Sequence, residues 1–246
     1  MPTRKTDTTD RDRDILEHVA RYRITTNEVL THLFCRNPNI TKKVMKRLAA
    51  PVPAAGVSPS EEQKLARPFF LQARELLGKR IYYHLTPRGA QRLRLHPARR
   101  HAQPPGPQAL IGHYAILVHC CLHDDQRILF TRKELAQQLP AVEQYAPYCL
   151  ERHNGSTRLI RMVVDHNRDP EGLVEKCRQI LRDARGVPFL AERLRSAQYA
   201  IALLTTDDLK VAAITTAVEK VALSVPVVPA TIPDLLGLIL GRKLHA

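Results

Sequence analysis

Thr41-Lys42-Lys43-Val44-Met45-Lys46-Arg47-Leu48 is the stretch on which the fold of this chain turns. At about 100° per residue, Val44, Met45 and Leu48 fall on one side of a helix, and Lys42, Lys43, Lys46 and Arg47 on the other. One face can bury while the other offers four cations. A helix lying in a DNA groove needs that division: apolar support behind, phosphate and base contacts in front. The plain alternative is a solvated basic face.

The charge distribution weighs on the same side. Of 246 residues, 38 are Lys or Arg and 24 are Asp or Glu, a net charge of +14. Residues 1–107 hold 21 basic and 9 acidic side chains, a net +12, against 17 and 15, a net +2, in residues 108–246. A polyanion-binding surface therefore belongs mainly to the first half. No apolar run approaches the roughly 18 residues of a membrane span. The start, Met1-Pro2-Thr3-Arg4-Lys5, lacks an apolar stretch, so a cytoplasmic protein without membrane contact is expected. Five cysteines without framework spacing are expected to be reduced. His119 and His123 flank Cys120-Cys121 at helical spacing, but a zinc site needs further ligands, and packed thiols in a buried helix are the favoured reading.

Around the basic stretch the elements follow a familiar order. A first amphipathic helix from Thr9 or Asp10 carries Ile15, Leu16 and Val19. Thr25 and Glu28 have capping-box spacing for a second helix with Val29, Leu30, Leu33 and Phe34. Cys35-Arg36-Asn37-Pro38 is a turn, and Asn39 is the expected N-cap of the third helix, which runs to about Ala50. Ala50–Lys64 reads as a loop. Strands are expected at Pro68–Gln72 and Arg80–Leu85, with Tyr82 and Tyr83 one packed and one exposed. Thr86-Pro87 then starts a short helix. Two strands after a helix-turn-helix make a winged helix, residues 1–96. The Pro-rich stretch 97–109 is the expected linker.

Residues 110–246 alternate. Helices are expected at Leu110–Leu122, after Thr131-x-x-Glu134, after Asp169-Pro170, at Asp207–Val221 and after Thr231. Strands are expected at Arg127–Phe130, Arg158–Val164, Gln198–Leu204 and Ser224–Val228. That pattern implies a sheet covered by helices. The expected class is therefore α+β: an N-terminal winged helix and a C-terminal α/β domain.

Three strings carry a resemblance: Asp12-Arg13-Asp14-Ile15-Leu16, Arg21-Tyr22-Arg23-Ile24-Thr25-Thr26 and Tyr82-Tyr83-His84-Leu85-Thr86-Pro87-Arg88-Gly89-Ala90. Over residues 8–95 the chain resembles the bacterial replication-relaxation family of plasmids and integrative elements. The resemblance implies a winged helix followed by an α/β domain like a PD-(D/E)xK nuclease. In the second half only the layout is similar. Such a nuclease holds Mg²⁺ on carboxylates and uses a lysine beside them. Here Ala146-Pro147-Tyr148 and Arg161-Met162-Val163-Val164-Asp165 stand where those residues would be. Val163 cannot bind a metal, and Asp165 lacks a carboxylate two positions before it. Asp165 reads as the cap of a turn with His166-Asn167, and the domain as degenerate.

Other chemistries find no support. Phosphate-cradling and nucleophile-elbow motifs are missing. His153-Asn154-Gly155 reads first as a hairpin turn. Tyr22, Tyr82, Tyr83 and Tyr145 lack the histidine cluster of a nicking enzyme. The expected function is sequence-specific binding of double-stranded DNA, without cofactor or metal, by a homodimeric transcriptional regulator of a mobile element. Mobilisation or replication support, a divergent metal-dependent nuclease and a protein adaptor are the alternatives. The expected DNA contacts are Asn39, Thr41, Lys42, Lys43, Lys46 and Arg47 on the third helix, with Arg74, Lys79 and Arg80 in the wing.

Overall fold

The computed structural model describes residues 9–54, 56–95, 102–122, 127–143, 146–153 and 155–244. The chain is mixed α and β with two separate sheets, in two units, Met1–His113 and Tyr114–Ala246.

In the first unit, Thr9 caps helix α1 (Asp10–Tyr22) in a reciprocal box: its Oγ1 accepts from Asp12 N–H and Asp12 Oδ2 accepts from Thr9 N–H. A two-residue strand β1 (Thr25–Thr26) leads to α2 (Asn27–Leu30), which loosens into a π-helical turn, Thr31–Cys35. The cap of α2 is Thr26 rather than Thr25: Thr26 Oγ1 accepts from Val29 N–H. Helix α3 (Pro38–Leu48) and strand β2 (Ala49–Ala50) follow. Helix α4 (Pro59–Ala66) lies in the stretch expected to be a loop. Ser58 and Glu61 form its capping box and Pro59 fills its first position, a signal outweighed in the sequence by surrounding Pro and Ala.

Strands β3 (Leu71–Leu77) and β4 (Arg80–Leu85) form a hairpin turned at Gly78, whose φ is +57°. The first strand begins later than Pro68, since Phe69 and Phe70 are still bonded back to Ala66 O and Leu48 O. The sheet order is β1-β4-β3-β2, so β4 is an inner strand. Tyr82 and Tyr83 are therefore both buried, correcting the expectation that one is exposed. Ile15, Leu16, Val19, Leu30, Val44, Met45, Leu48, Leu71, Tyr83 and Leu85 make the core.

The string Leu85–Ala90 is a clamp. Thr86 N–H donates to Phe70 O, and Thr86 Oγ1 donates to Phe69 O and accepts from Gly89 N–H. This caps α5 (Pro87–Arg92) while fastening it to the start of β3. Arg88 donates to Pro68 O at 2.7 Å and lies over the Phe70 ring. A Cβ on Gly89 would stand 2.1 Å from Phe70 O, a backbone atom. Gly89→Ala should therefore cost about 2 kcal/mol, by forcing the helix off the strand. An unchanged denaturation midpoint would show that the helix moves without penalty.

Helix α6 (Pro107–Cys121) begins inside the stretch expected to be linker; residues 96–101 lie outside the described residues. The second unit adds β5 (Arg127–Leu129), α7 (Arg132–Gln138) with the expected Thr131–Glu134 box, β6 (Tyr148–His153) and β7 (Ser156–Val164). Then come α8 (Pro170–Arg185), α9 (Pro188–Arg195), β8 (Tyr199–Thr205), α10 (Asp208–Glu219), β9 (Val227–Thr231) and α11 (Leu235–Leu244). The sheet runs β5-β6-β7-β8-β9, antiparallel through β7 and parallel thereafter. His153 pairs with Ser156 across a two-residue hairpin, with Gly155 at φ +76°; Asn154 is outside the described residues.

Leu159, Val163, Tyr199, Ile201 and Leu203 on one sheet face pack with Leu173, Cys177 and Leu181 of α8 and Ile214 of α10. On alternate residues, Met162 of β7 meets Cys120 of α6. One row across β5, β6 and β7 is charged. Glu151 binds Arg127 at 2.7 Å and also Arg158. Burial alone would raise the Glu151 pKa, but hydrogen bonds and charge from the two arginines outweigh it and hold the carboxyl below its usual value. All five cysteines are buried thiols.

Candidate nucleic-acid interface

Asn37, not Asn39, caps α3: its Oδ1 accepts from Asn39 N–H at 2.8 Å, and Pro38 takes the first helical position. The proline ring is preorganised there and its missing N–H costs nothing, which moves the cap two residues upstream of the expected one. Arg36, at φ +54°, ends the preceding turn.

The back of α3 is locked in two ways. Val44, Met45 and Leu48 enter the core. Thr41 is buried: its Oγ1 donates to Asn37 O and lies 2.8 Å from Thr31 Oγ1. Thr41 therefore joins the two helices and is not on the outward face, which corrects its place among the expected DNA contacts. The front is cationic. Lys42, Lys43 and Lys46 are exposed, and among the described residues none of the three has an ion-pair partner.

Arg47 differs. Its Nη2 is 2.5 Å from Oδ1 of Asp12, a carboxylate almost wholly buried. The same carboxylate caps α1, so one acidic group fastens the start of α1 to the end of α3. Arg47 is half exposed, but its head group has a structural task that the sequence did not disclose. The charge of Asp12 reads in the sequence only as a helix-dipole partner.

No protein-family model, curated protein or solved structure matches this chain. Its site therefore rests on geometry alone.

The hairpin presents Lys79 and Arg80 beside Gly78, both exposed. Arg74 is not in the bend. It sits mid-strand in β3 opposite Tyr82 and is half buried. The strand expected to stop at Gln72 continues to Leu77, with a bulge after Glu75.

Two histidines lie beneath this surface. His18 stacks near Tyr22 and Phe34, and its Nε2 is 3.2 Å from Thr25 Oγ1. His84 places Nδ1 3.0 Å from Leu85 O. Burial, helped by Arg21, lowers the His18 pKa to about 4. Burial first, then Arg74 and Arg23, lowers His84 to about 4 against the pull of the Leu85 carbonyl. Both are neutral scaffold residues at pH 7.

In the second unit, Tyr148, Val163 and Asp165, the positions that the resemblance sets against nuclease carboxylates, each have packing or bonding partners. Tyr148 pairs with Arg161 across the sheet, and the guanidinium lies 5.2 Å from the Tyr148 ring centroid. Val163 is in the core. Asp165, fully buried, accepts from Arg168 N–H at 2.8 Å and Thr205 Oγ1 at 3.0 Å, and its Oδ2 lies 2.7 Å from Lys210 Nζ. It does turn the chain at His166-Asn167, and it also joins the ends of β7, β8 and the start of α10. Among the described residues no three His, Cys, Asp or Glu side chains converge as metal ligands. His123 and Tyr145 lie outside those residues.

Proposed function

We propose that this chain is a sequence-specific double-stranded DNA-binding protein with α3 as its recognition helix. The observation that carries the reading is the division of α3: a back locked by Thr41, Val44, Met45 and Leu48, and a front of Lys42, Lys43 and Lys46. A rigid helix with uncommitted cations suits phosphate and base contacts in a major groove.

The surroundings support a winged helix. Helices α1 to α4 precede an antiparallel hairpin, β1 closes the sheet against β4, and Lys79 and Arg80 at the tip suit a second contact. The Leu85–Ala90 clamp speaks for the same architecture, since its residues fasten α5 to the hairpin. The second unit's order, three antiparallel strands followed by two parallel additions, supports comparison with a PD-(D/E)xK-like layout. With Tyr148 and Val163 where carboxylates would serve, we assign it assembly of a homodimer rather than catalysis. Transcriptional control of a mobile element is the favoured role, the element being inferred from the resemblance over residues 8–95.

The test is a fluorescence-anisotropy titration of duplex DNA against salt. Lys42→Ala with Lys46→Ala should weaken binding and lower the log–log salt slope by about two, one for each phosphate no longer neutralised. The thermal midpoint should barely move, because both side chains are exposed. An unchanged slope would remove α3 from the interface.

A further inference from the structure

Resting on the DNA-binding reading above, we infer that α3 selects adenine and thymine in the major groove: Asn39 reads an adenine, and Ile40 packs on a neighbouring thymine methyl. Because Asn37 is the cap, the carboxamide of Asn39 is released from the task its residue type usually performs at this point in a helix. Only its backbone N–H is engaged locally, by Asn37. Its side chain is exposed.

Helical geometry places that side chain well. Thr41, Val44, Met45 and Leu48 define the buried direction. At about 100° per residue, Asn39, Lys43 and Lys46 cluster opposite it, at the centre of the outward face. Lys42 lies on one flank, and Ile40 and Arg47 on the other. A carboxamide can donate to N7 or accept from N6–H of one adenine, and both bonds together fit adenine and no other base. Lysine in the same row offers donors suited to guanine O6 and N7 or to phosphate. Asn39 and Lys43 are about 6 Å apart along the helix axis, so they address bases about two steps apart.

Ile40 is the unusual member. It is 39% exposed beside three lysines, where an apolar branched side chain gains nothing from water. On its flank the cation, Arg47, is already held by Asp12. An exposed methyl-bearing surface next to a base-reading amide is complementary to the C5-methyl of thymine, the apolar group of the major-groove edge.

The experiment is an in-vitro selection of random duplexes by the full-length protein, its Asn39→Ala form and its Ile40→Ala form. The wild type should recover sites with one fixed adenine. Asn39→Ala should lose about tenfold in preference at that position and keep the others. Replacing that adenine by 7-deazaadenine, which lacks the N7 acceptor, should weaken the wild type and leave Asn39→Ala unmoved. Replacing the neighbouring thymine by uracil, which lacks the methyl, should weaken the wild type and leave Ile40→Ala unmoved. Both side chains are exposed, so equal thermal midpoints will show that the variants fold. If duplexes are recovered but the adenine preference and the 7-deaza response persist in Asn39→Ala, the base-reading inference is wrong and the DNA-binding reading stands. If the wild type retains no duplex above background, both fall.

Discussion

Asp165→Ala is expected to destabilise the second unit by about 3 kcal/mol, the scale for removing one partner of a buried ion pair. Asp165 is fully buried, while the Lys210 side chain keeps 14% exposure. Alanine would leave that ammonium with Asn167 Oδ1, at 3.4 Å, in place of a carboxylate, and would leave Thr205 Oγ1 and Arg168 N–H without their acceptor. Asp165→Asn keeps one acceptor oxygen for the Arg168 N–H, and its NH2 can donate to Thr205 Oγ1, so it should lose less, and Lys210→Met should recover part of the alanine loss in the double variant. Chemical denaturation of the wild type, the two Asp165 variants, Lys210→Met and the double variant settles the order. An additive double variant would show that the pair does not couple. The result also bears on chemistry. Loss of a cleavage activity in Asp165→Ala would report unfolding as readily as catalysis, so a claim of nuclease activity needs Asp165→Asn beside it.

Mild acid should unfold the first unit more readily than neutral pH. His18 and His84 have folded pKa values of about 4, against 6.5 for an unperturbed histidine. Above pH 6.5 both states hold neutral imidazoles, and the histidines cost nothing. Below it the unfolded chain takes up protons that the folded chain refuses, so stability falls as pH drops from 6.5 towards 4 and levels off beneath. Each histidine contributes about 1.4 kcal/mol per pH unit, or about 3 kcal/mol across the window. Urea midpoints at pH 7.5, 6.0, 5.0 and 4.5 should decline in step. Burial, helped by Arg23, also lowers His113 to about 4, so replacing His18 and His84 by glutamine should remove about two thirds of the decline; a slope left unchanged by the replacement would place the acid sensitivity elsewhere.

What the sequence disclosed follows physical range. The two faces of α3 are readable, because amphipathic spacing is local and 100° geometry turns it into a burial pattern. The helix start near Thr9, the box at Thr131 and the Asp169-Pro170 start are readable for the same reason. The cap of α3 is not, because Pro38 can either end a turn or open a helix, and only the neighbouring backbone decides between Asn37 and Asn39. Thr41 carries a polar side chain that sequence treats as outward, yet a hydroxyl can be buried once Asn37 O and Thr31 satisfy it. The bond between Arg47 and Asp12 spans 35 residues, and no local pattern encodes it. Tyr82 depends on the sheet order: an edge strand exposes one face more readily than an inner strand such as β4. Helix α9 leaves little trace in the sequence because it is eight residues long and has no side-chain cap, and of its apolar residues Leu190 is buried while Phe189 remains partly exposed.

The clasp between Asp12 and Arg47 makes grip and sturdiness rivals. A change that frees Arg47 would hand a fourth cation to the helix proposed to contact DNA, and in the same stroke unfasten α1 from α3. Selection for tighter holding cannot therefore proceed by that route without surrendering part of the frame. Variants that strengthen binding should instead accumulate at positions such as the hairpin tip, where a new charge has no second duty.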